Sequence, residues 1–326
     1  MGLLVEGEWQ TDGFQKRVSK GHFVRADAWF RNWITGNGDA GPSGEGGFAA
    51  ESGRYHLYVS HACPWAHRTM IFRELKDLTP HITVSVVDWF MGDQGWTFGQ
   101  AGNETRDDLF GQTYAHEVYS RAAPTYTGRV TVPILWDTQQ DTIVSNESSE
   151  IIRMFNSAFN GLTGNTQDYY PADKRAEIDE INERVYHTLN NGVYKCGFAT
   201  TQEAYEAAFT PLFETLDWLE EKLSRSRYLT GDTLTEADIR LFTTLVRFDP
   251  VYVSHFKCNR NRIADMPNLA NFTREIYQMP AVRKTVHLDH IKNHYFGSHE
   301  SINPTRIVPV GPALNYDQPH DRDRFG

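Results

Sequence analysis

Residues 54–68, RYHLYVSHACPWAHR, decide the fold of the first half of the chain. The run at 54–60 alternates with strand character, and Cys63-Pro64 then opens a predicted helix, because proline needs no hydrogen-bond donor in a first helical turn. A second strand, ITVSVV, is predicted at 82–87. A strand, a helix and a second strand form the beginning of a βαβ unit.

Two short runs farther along, TVPILWD at 131–137 and TIVSN at 142–146, predict a hairpin. A helix is predicted from Glu147-Ser148 onward. Between the βαβ unit and the hairpin lies a long insertion rich in Gly, Asp and Tyr at 99–125, to which the sequence assigns no role.

After about residue 165 the strand signals largely stop and helical stripes begin. Apolar residues at spacings of three and four predict two core-facing helices, at Ile178, Ile181, Val185 and Leu189, and at Phe209, Leu212, Phe213, Leu216, Leu219 and Leu223. Thr235 and Asp238 predict a capping box at the start of another helix. From His290 on, the chain is predicted to be irregular but packed, because it carries more Tyr, Phe and Pro than a disordered end needs.

Composition narrows the class of protein. A chain of 326 residues corresponds to roughly two domains, and its net charge of −10 argues against a nucleic-acid backbone as the main partner. Three cysteines without paired spacing exclude a disulfide framework, and neither a signal peptide nor a membrane span is evident, so we expect a cytoplasmic protein. An aromatic content of 13% suggests a large aromatic-lined cavity or interface.

The first candidate for chemistry is Cys63. At a helix N-terminus, the unpaired backbone N–H groups and the helix dipole favour a thiolate. The position of a thioredoxin-type resolving cysteine holds Ala66, so an external thiol, in a cytosol glutathione, has to complete turnover. The alternatives are a buried apolar cysteine, or a metal site with His61 and His67, for which three donors at this spacing are too few.

A second constellation supports the thiol interpretation. Pro133 interrupts a strand, which suggests a cis Val132-Pro133 bond that turns the Val132 backbone toward a peptide-like ligand. Glu147 and Ser148 at the next helix start are suited to an α-amino and an α-carboxylate group, respectively. Together they predict a socket for a γ-glutamyl peptide, although Glu147-Ser148 alone could equally be a simple helix start.

Motifs along the whole chain resemble one family. These are CPWAHR at 63–68, RVTVP at 129–133, SNES at 145–148, NNGVYKCGFA at 190–199, TEADIRL at 235–241, RFDPVYVSHFKC at 247–258 and NHYF at 293–296. The combination is similar to that of glutathionyl-hydroquinone reductases, the xi class of glutathione transferases. VPIL and TEAD indicate only the superfamily, whereas CPWAHR with NNGVYK, DPVYV and NHYF is much more specific.

The resemblance implies an α/β thioredoxin-like domain at 49–160 followed by an all-α domain at 168–290, in a homodimer. An N-terminal arm with a glycine-rich loop at 1–48 precedes them, and a C-terminal extension at 291–326 packs on the domains. The implied activity is reduction of a glutathionyl-hydroquinone by glutathione, which acts as co-substrate and not as a tightly bound cofactor. The partners are therefore glutathione, glutathionylated aromatic diols and a second copy of the chain, without metal, nucleic acid or membrane.

The resemblance also implies roles for individual residues. Cys63 becomes the nucleophile and Tyr194 the proton donor, while Tyr252 and Tyr295 help to lower the thiol pKa. The implied glutathione contacts are Trp96, Arg129, Val130, Thr131, Val132, Glu147 and Ser148, next to the cis-proline Pro133. The natural quinone, the dimer geometry and any redox role of Cys196 or Cys258 are not fixed by these motifs.

Each residue also has a plainer interpretation. The tyrosines could be packing residues, and Trp96 could be an exposed-loop residue or a hydrophobic staple. His287, His290 and His294 fit a surface or cleft-lining helix end better than a metal face, and Cys196 and Cys258 fit packing. Two other functions stay open: an omega-like thioltransferase or dehydroascorbate reductase, and a non-catalytic binding module with the same fold.

Overall fold

The computed structural model describes residues 2–11, 18–100 and 105–326. Parts of the expected N-terminal arm (residues 1 and 12–17) and of the insertion (101–104) lie outside the described residues. The described chain divides into two compact units. The first, here the sheet unit, comprises the described residues of Met1–Lys16 and Ala26–Gln167, and the second, the helical unit, those of Arg17–Arg25 and Asp168–Gly326.

The sheet unit is built on the predicted βαβ unit and hairpin. Its strands and helices are β1 (Leu3–Val5), β2 (Glu8–Gln10), β5 (Tyr55–Val59), α1 (Pro64–Leu75), β6 (Ile82–Val86), β7 (Met91–Gly92), β8 (Gly95–Trp96), α2 (Ala115–Ala122), β9 (Ile134–Asp137), β10 (Thr142–Ser145), α3 (Ser148–Ser157) and α4 (Asn160–Thr163). The main sheet has the order β10-β9-β5-β6, in which β5 and β6 are parallel and β9 and β10 antiparallel. Both sequence predictions are therefore confirmed.

Burial explains why this sheet forms. All residues of β5 are buried, as expected for a central strand, and α1 packs against α3. The N-terminal arm joins this core, because Leu4 exchanges backbone hydrogen bonds of 2.9 Å with Gly128. The described part of the insertion contains α2, a helix that the sequence analysis did not predict.

The helical unit contains the predicted helices and a small hairpin from the N-terminal arm. Its elements are β3 (Val18–Ser19), β4 (His22–Phe23), α5 (Arg175–Val185), a π-helical turn (Tyr186–Asn190), α6 (Gly192–Gly197), α7 (Gln202–Leu223), α8 (Glu236–Arg247), a second π-helical turn (Phe248–Tyr252), α9 (Pro267–Gln278), α10 (Pro280–Arg283) and α11 (Leu288–Ser298). The predicted apolar stripes are buried apart from Phe209, which is half-buried. Every residue of α8 is buried, so this helix is the centre of the unit.

The prediction of an irregular chain from His290 is wrong at its start, because α11 continues to Ser298. The rest of the C-terminal segment does pack, as predicted. Arg322 is fully buried, and its guanidinium donates to the carbonyl oxygens of Leu223 (2.7 Å) and Arg227 (2.6 Å). These bonds attach the C-terminal segment to the end of α7.

No helix in the described ranges is both long enough and apolar enough to cross a membrane.

The predicted capping box at the start of α8 is present and gives a testable stability effect. The buried Asp238 carboxylate accepts from the backbone N–H groups of Leu229 and Thr235, both at 2.8 Å. Asp238→Ala leaves these buried donors unsatisfied, so we expect the free energy of unfolding to fall by about 2–4 kcal/mol. Urea unfolding followed by circular dichroism measures this, with the exposed Asp232→Ala as a matched control. An equal effect of both variants would contradict the capping role.

Candidate active site

The thiol of Cys63 lies at the N-terminus of α1, as the sequence predicted. Cys63 is the N-cap residue with an extended backbone (φ −76°, ψ 122°), and Pro64 occupies the first turn. The Cys63 carbonyl accepts the first helical hydrogen bond, from the His67 N–H at 3.0 Å. The sulfur is therefore held at the positive end of the helix dipole, which favours a negative charge there.

The Cys63 side chain also contacts the loop at residues 129–133, which contains Pro133. Its Sγ donates to the Val132 carbonyl oxygen at 3.5 Å, and the Val132-Pro133 peptide bond is cis, which confirms that prediction. The two motifs are 69 residues apart in sequence and adjacent in space. The thiol and the segment expected to bind a peptide-like ligand thus form one site.

Tyr119, which the sequence interpretation missed, anchors this loop. Its fully buried hydroxyl donates to the Thr131 carbonyl oxygen at 2.9 Å and accepts from the Thr131 N–H at 3.2 Å. The Asn146 side-chain amide donates to the same hydroxyl at 3.0 Å. Tyr119 therefore connects the loop at 129–132 to the residue before Glu147. It belongs to α2, in the insertion, where no motif distinguished it from other tyrosines.

Glu147 is the N-cap residue of α3. One carboxylate oxygen accepts from the Ser149 N–H at 2.9 Å and from the Ser149 hydroxyl at 2.8 Å. Ser148, the first helical residue, is buried. Glu147 and Ser148 therefore do form a helix start, as their plainer interpretation predicted. The same arrangement places a carboxylate and helix N–H groups beside Asn146.

The other proposed glutathione contacts have different environments. Trp96 lies in β8 and is only 7% exposed, so the interpretation as an exposed-loop residue is wrong. Arg129 and Val130 are half-buried, and the Arg129 carbonyl oxygen accepts from the Tyr126 hydroxyl at 3.0 Å. A second tyrosine therefore holds the start of this segment.

The three tyrosines of the resemblance form one hydrogen-bonded cluster, here the tyrosine cluster, in the helical unit. Tyr194 lies on α6, Tyr252 ends the second π-helical turn and Tyr295 lies on α11. The Tyr295 hydroxyl is 2.5 Å from that of Tyr194 and 3.1 Å from that of Tyr252. Residues as far as 101 positions apart in sequence thus converge.

Burial differs within the tyrosine cluster. Tyr252 and Tyr295 are almost fully buried, and this burial raises the pKa of both phenols well above the ordinary value. Tyr194 is half-buried. Tyr252 and Tyr295 are therefore neutral hydrogen-bond donors at physiological pH, and Tyr194 is the member that solvent reaches.

Aromatic rings and histidines surround the tyrosine cluster. Phe256 stacks on Tyr252 with ring centroids 5.5 Å apart, and His255 Nε2 lies 3.1 Å from His299 Nδ1. Burial lowers the pKa of His255 to about 4, so this imidazole is neutral. Of the histidines noted in the sequence, His287 is the N-cap residue of α11, and His290 and the buried His294 lie on that helix. Within the described ranges, no group of three or more His, Cys, Asp or Glu side chains could hold a metal ion.

The other two cysteines lie in a different environment from Cys63. Cys196 and Cys258 are buried, and the Cys258 thiol donates to the Phe256 carbonyl oxygen at 3.8 Å. Burial raises the pKa of the Cys258 thiol well above its ordinary value. A buried neutral thiol is a poor nucleophile, in agreement with a packing role.

Comparison with known proteins gives matches over the whole chain. Residues 62–158 match the glutathione S-transferase N-terminal domain, and residues 202–275 match the C-terminal domain. Glutathionyl-hydroquinone reductase YqjG of Escherichia coli is 56% identical over 328 residues, covering 100% of both chains. Glutathionyl-hydroquinone reductase PcpF of Sphingobium chlorophenolicum is 55% identical, covering 96% of this chain and 97% of that protein.

Solved structures agree with these matches. The glutathione-bound structure of Escherichia coli YqjG has a TM-score of 0.92 at 54% identity and covers 99% of both chains. The xi glutathione transferase of Phanerochaete chrysosporium has a TM-score of 0.86 at 54% identity, covering 92% of this chain and 96% of that one. The predicted fold class, a thioredoxin-like domain followed by an all-helical domain, is confirmed.

Proposed function

Because the chain belongs to the glutathionyl-hydroquinone reductases, the xi class of glutathione transferases, we propose that it reduces glutathionyl-hydroquinones to hydroquinones with glutathione. The observation that carries the proposal is the Cys63 sulfur at the start of α1, 3.5 Å from the Val132 carbonyl oxygen. A single thiol in this position, with Ala66 where a resolving cysteine would stand, needs glutathione to complete the reaction.

The difficult step is cleavage of a carbon–sulfur bond to an aromatic ring. Direct attack on sulfur would expel an aryl carbanion, which is a poor leaving group. Protonation of the sulfur-bearing ring carbon, with loss of a hydroxyl proton, gives a keto tautomer from which an enolate leaves instead. Tyr194 supplies the proton to that carbon, as a general acid.

The sulfur chemistry then proceeds in two exchanges. The Cys63 thiolate attacks the glutathionyl sulfur, and the electron pair of the carbon–sulfur bond passes to the ring as an enolate. The enolate oxygen takes up a proton from solvent, which gives the hydroquinone. Glutathione thiolate next attacks the Cys63–glutathione mixed disulfide and releases glutathione disulfide. In sum, the glutathionylated ring and one glutathione give hydroquinone and glutathione disulfide.

The proposal also assigns the remaining site residues. Backbone groups of Arg129, Val130, Thr131 and Val132, with Trp96, hold the peptide part of glutathione. Glu147 receives its α-amino group, and Ser148 with the N–H groups of α3 its α-carboxylate. The bonds of Tyr119 to Thr131 support this assignment, because they fix the loop in position.

Tyr252 and Tyr295 are proposed to lower the pKa of the Cys63 thiol by donating to the thiolate. Their neutral, buried phenols support a donor role. We further propose a homodimer in the cytoplasm. The three cysteines are not joined by disulfides, which supports a reducing compartment, and the second copy follows from the resemblance to the xi class.

The direct test is incubation of the protein with a glutathionyl-benzohydroquinone and glutathione. We expect hydroquinone and glutathione disulfide in equal amounts, and, without free glutathione, one glutathionyl group on Cys63. Chromatography measures the products, and peptide mass spectrometry measures the adduct. The absence of hydroquinone release, or an adduct on Cys196 or Cys258 instead, would disprove the proposal.

A further inference from the structure

The N-terminal arm reaches the tyrosine cluster through the hairpin β3–β4. The Gly21 carbonyl oxygen accepts from the Thr200 N–H at 3.1 Å, and β4 packs against α6. Phe23 stacks near Phe198 at 5.5 Å and near Tyr194 at 6.3 Å between ring centroids. Residues 18–25 therefore form one side of the environment of Tyr194.

Arg25, which follows this hairpin, places a cation over the Tyr194 ring. Its guanidinium carbon lies 5.1 Å from the Tyr194 ring centroid and 5.5 Å from that of Phe23. Its Nε donates to Asn191 Oδ1 at 2.7 Å, and Asn191 is a buried residue at the start of α6. The guanidinium is thus fixed to the helix that carries Tyr194.

The charge of Arg25 has a consequence for proton transfer. A tyrosine that gives its proton to a substrate becomes a phenolate, and its negative charge is partly delocalised over the ring. A cation over the ring face stabilises that state more than the neutral phenol. The Tyr295 hydroxyl lies 2.5 Å from that of Tyr194 and donates its single proton to the phenolate oxygen once the Cys63 thiolate has attacked and no longer accepts that proton.

We propose that Arg25 is a positioning residue for the reaction, which orients Tyr194 and stabilises the phenolate formed when Tyr194 donates its proton. This inference rests on the proposed role of Tyr194 as general acid. It assigns a function to the N-terminal arm, to which the sequence motifs gave none.

Other titratable and charged groups also surround Tyr194 and its hydroxyl partners. They are Tyr252, Tyr295, His255, His294, His299 and Arg247. Arg247 is a buried cation whose charge acts to lower the pKa of Tyr252 and Tyr295, against the larger effect of their burial. These groups are the same in the wild type and in an Arg25 variant. A difference between the two pH profiles is therefore due to the removal of the Arg25 charge.

The test is a double-mutant cycle of Arg25→Gln and Tyr194→Phe, with hydroquinone release as the rate measured. We expect Arg25→Gln to lower kcat about fivefold in the wild-type background. In the Tyr194→Phe background, where the ring has no hydroxyl to ionise, Arg25→Gln should have no further effect. Arg25→Lys, which keeps the charge, is expected to retain most of the rate. Arg260→Gln, which removes a cation over the Phe213 ring, is the matched control.

The pH profile separates this role from a structural one. A general acid must be protonated to act, so the rate falls at high pH as Tyr194 ionises. Removal of the cation raises the pKa of that phenol. The pH at which the rate falls on the alkaline side of the profile should therefore increase by roughly 0.5 to 1. Substitution of a residue with only a structural role would lower the rate without changing the pH at which the rate falls.

Two results would overturn the inference in distinguishable ways. If Arg25→Gln slows release equally with and without the Tyr194 hydroxyl, Arg25 does not act through Tyr194, while the proposed function stands. If Tyr194→Phe alone has no effect on release, the role of Tyr194 as general acid fails and the inference fails with it.

Discussion

Cys63→Ala should lower hydroquinone release on the order of 10³-fold or more, because Cys63 accepts the glutathionyl group in the proposed reaction and the thiols of Cys196 and Cys258 are buried. The variant retains α1, the Val132-Pro133 loop and the start of α3. Glutathione binding should therefore persist, within about threefold of the wild-type affinity. Steady-state rates and isothermal titration calorimetry with glutathione measure the two effects separately.

Cys196→Ala is the matched control for this variant. Cys196 is buried, so its loss affects packing and leaves the Cys63 thiol in place. We expect it to keep the wild-type rate and the adduct on Cys63. If Cys63→Ala still released hydroquinone at an appreciable rate, direct attack by glutathione on the substrate would have to replace the mixed disulfide.

The contrast between the cysteines follows from their surroundings. Cys63 caps a helix and is half-buried, whereas Cys258 is fully buried with a raised pKa. The sequence predicted the position of the Cys63 thiol at a helix start, because a strand, a Cys-Pro pair and a helix fix that position. The electrostatic interaction between Cys196 and Cys258 has no sequence signal, since these residues come from different elements.

Local patterns predicted the elements that surround the thiol. The alternation at 54–60, the Cys63-Pro64 helix start and the Thr235–Asp238 capping box all depend on neighbours in sequence, and all are present. The continuation of α11 to Ser298 was missed. Its residues HIKNHYFGS lack a regular apolar stripe, and burial within the helical unit compensates for that.

Contacts between distant parts of the chain were not predictable in the same way. Tyr119 supports Thr131 and Asn146 from within an insertion that had no recognisable motif. Arg25 reaches Tyr194 from an arm whose composition suggested only a loop. Such residues act through geometry that appears only when the elements are packed, and their types alone did not distinguish them.

Tyr194→Phe should lower hydroquinone release about 10²-fold or more, because in the proposed reaction it removes the proton that the ring carbon needs before the carbon–sulfur bond can break. The substitution keeps the ring, its packing near Phe198 and Phe256, and the contact of Arg25 with the ring face. Exchange of glutathione with a small mixed disulfide needs only the Cys63 thiolate. That exchange should remain within about twofold of wild type.

The ratio of the two activities decides between the reductase and an omega-like thioltransferase. A thioltransferase does not use a proton donor for a carbon–sulfur bond. If the protein were a thioltransferase, Tyr194→Phe would therefore leave hydroquinone release and disulfide exchange both unchanged. Tyr205→Phe is the matched control, because its hydroxyl donates to the Lys257 carbonyl oxygen at 2.7 Å outside the tyrosine cluster. Equal loss of both activities in Tyr194→Phe would instead indicate a disturbed structure. Selective loss of hydroquinone release, with Tyr205→Phe unaffected, would establish the Tyr194 hydroxyl as the proton source for the ring.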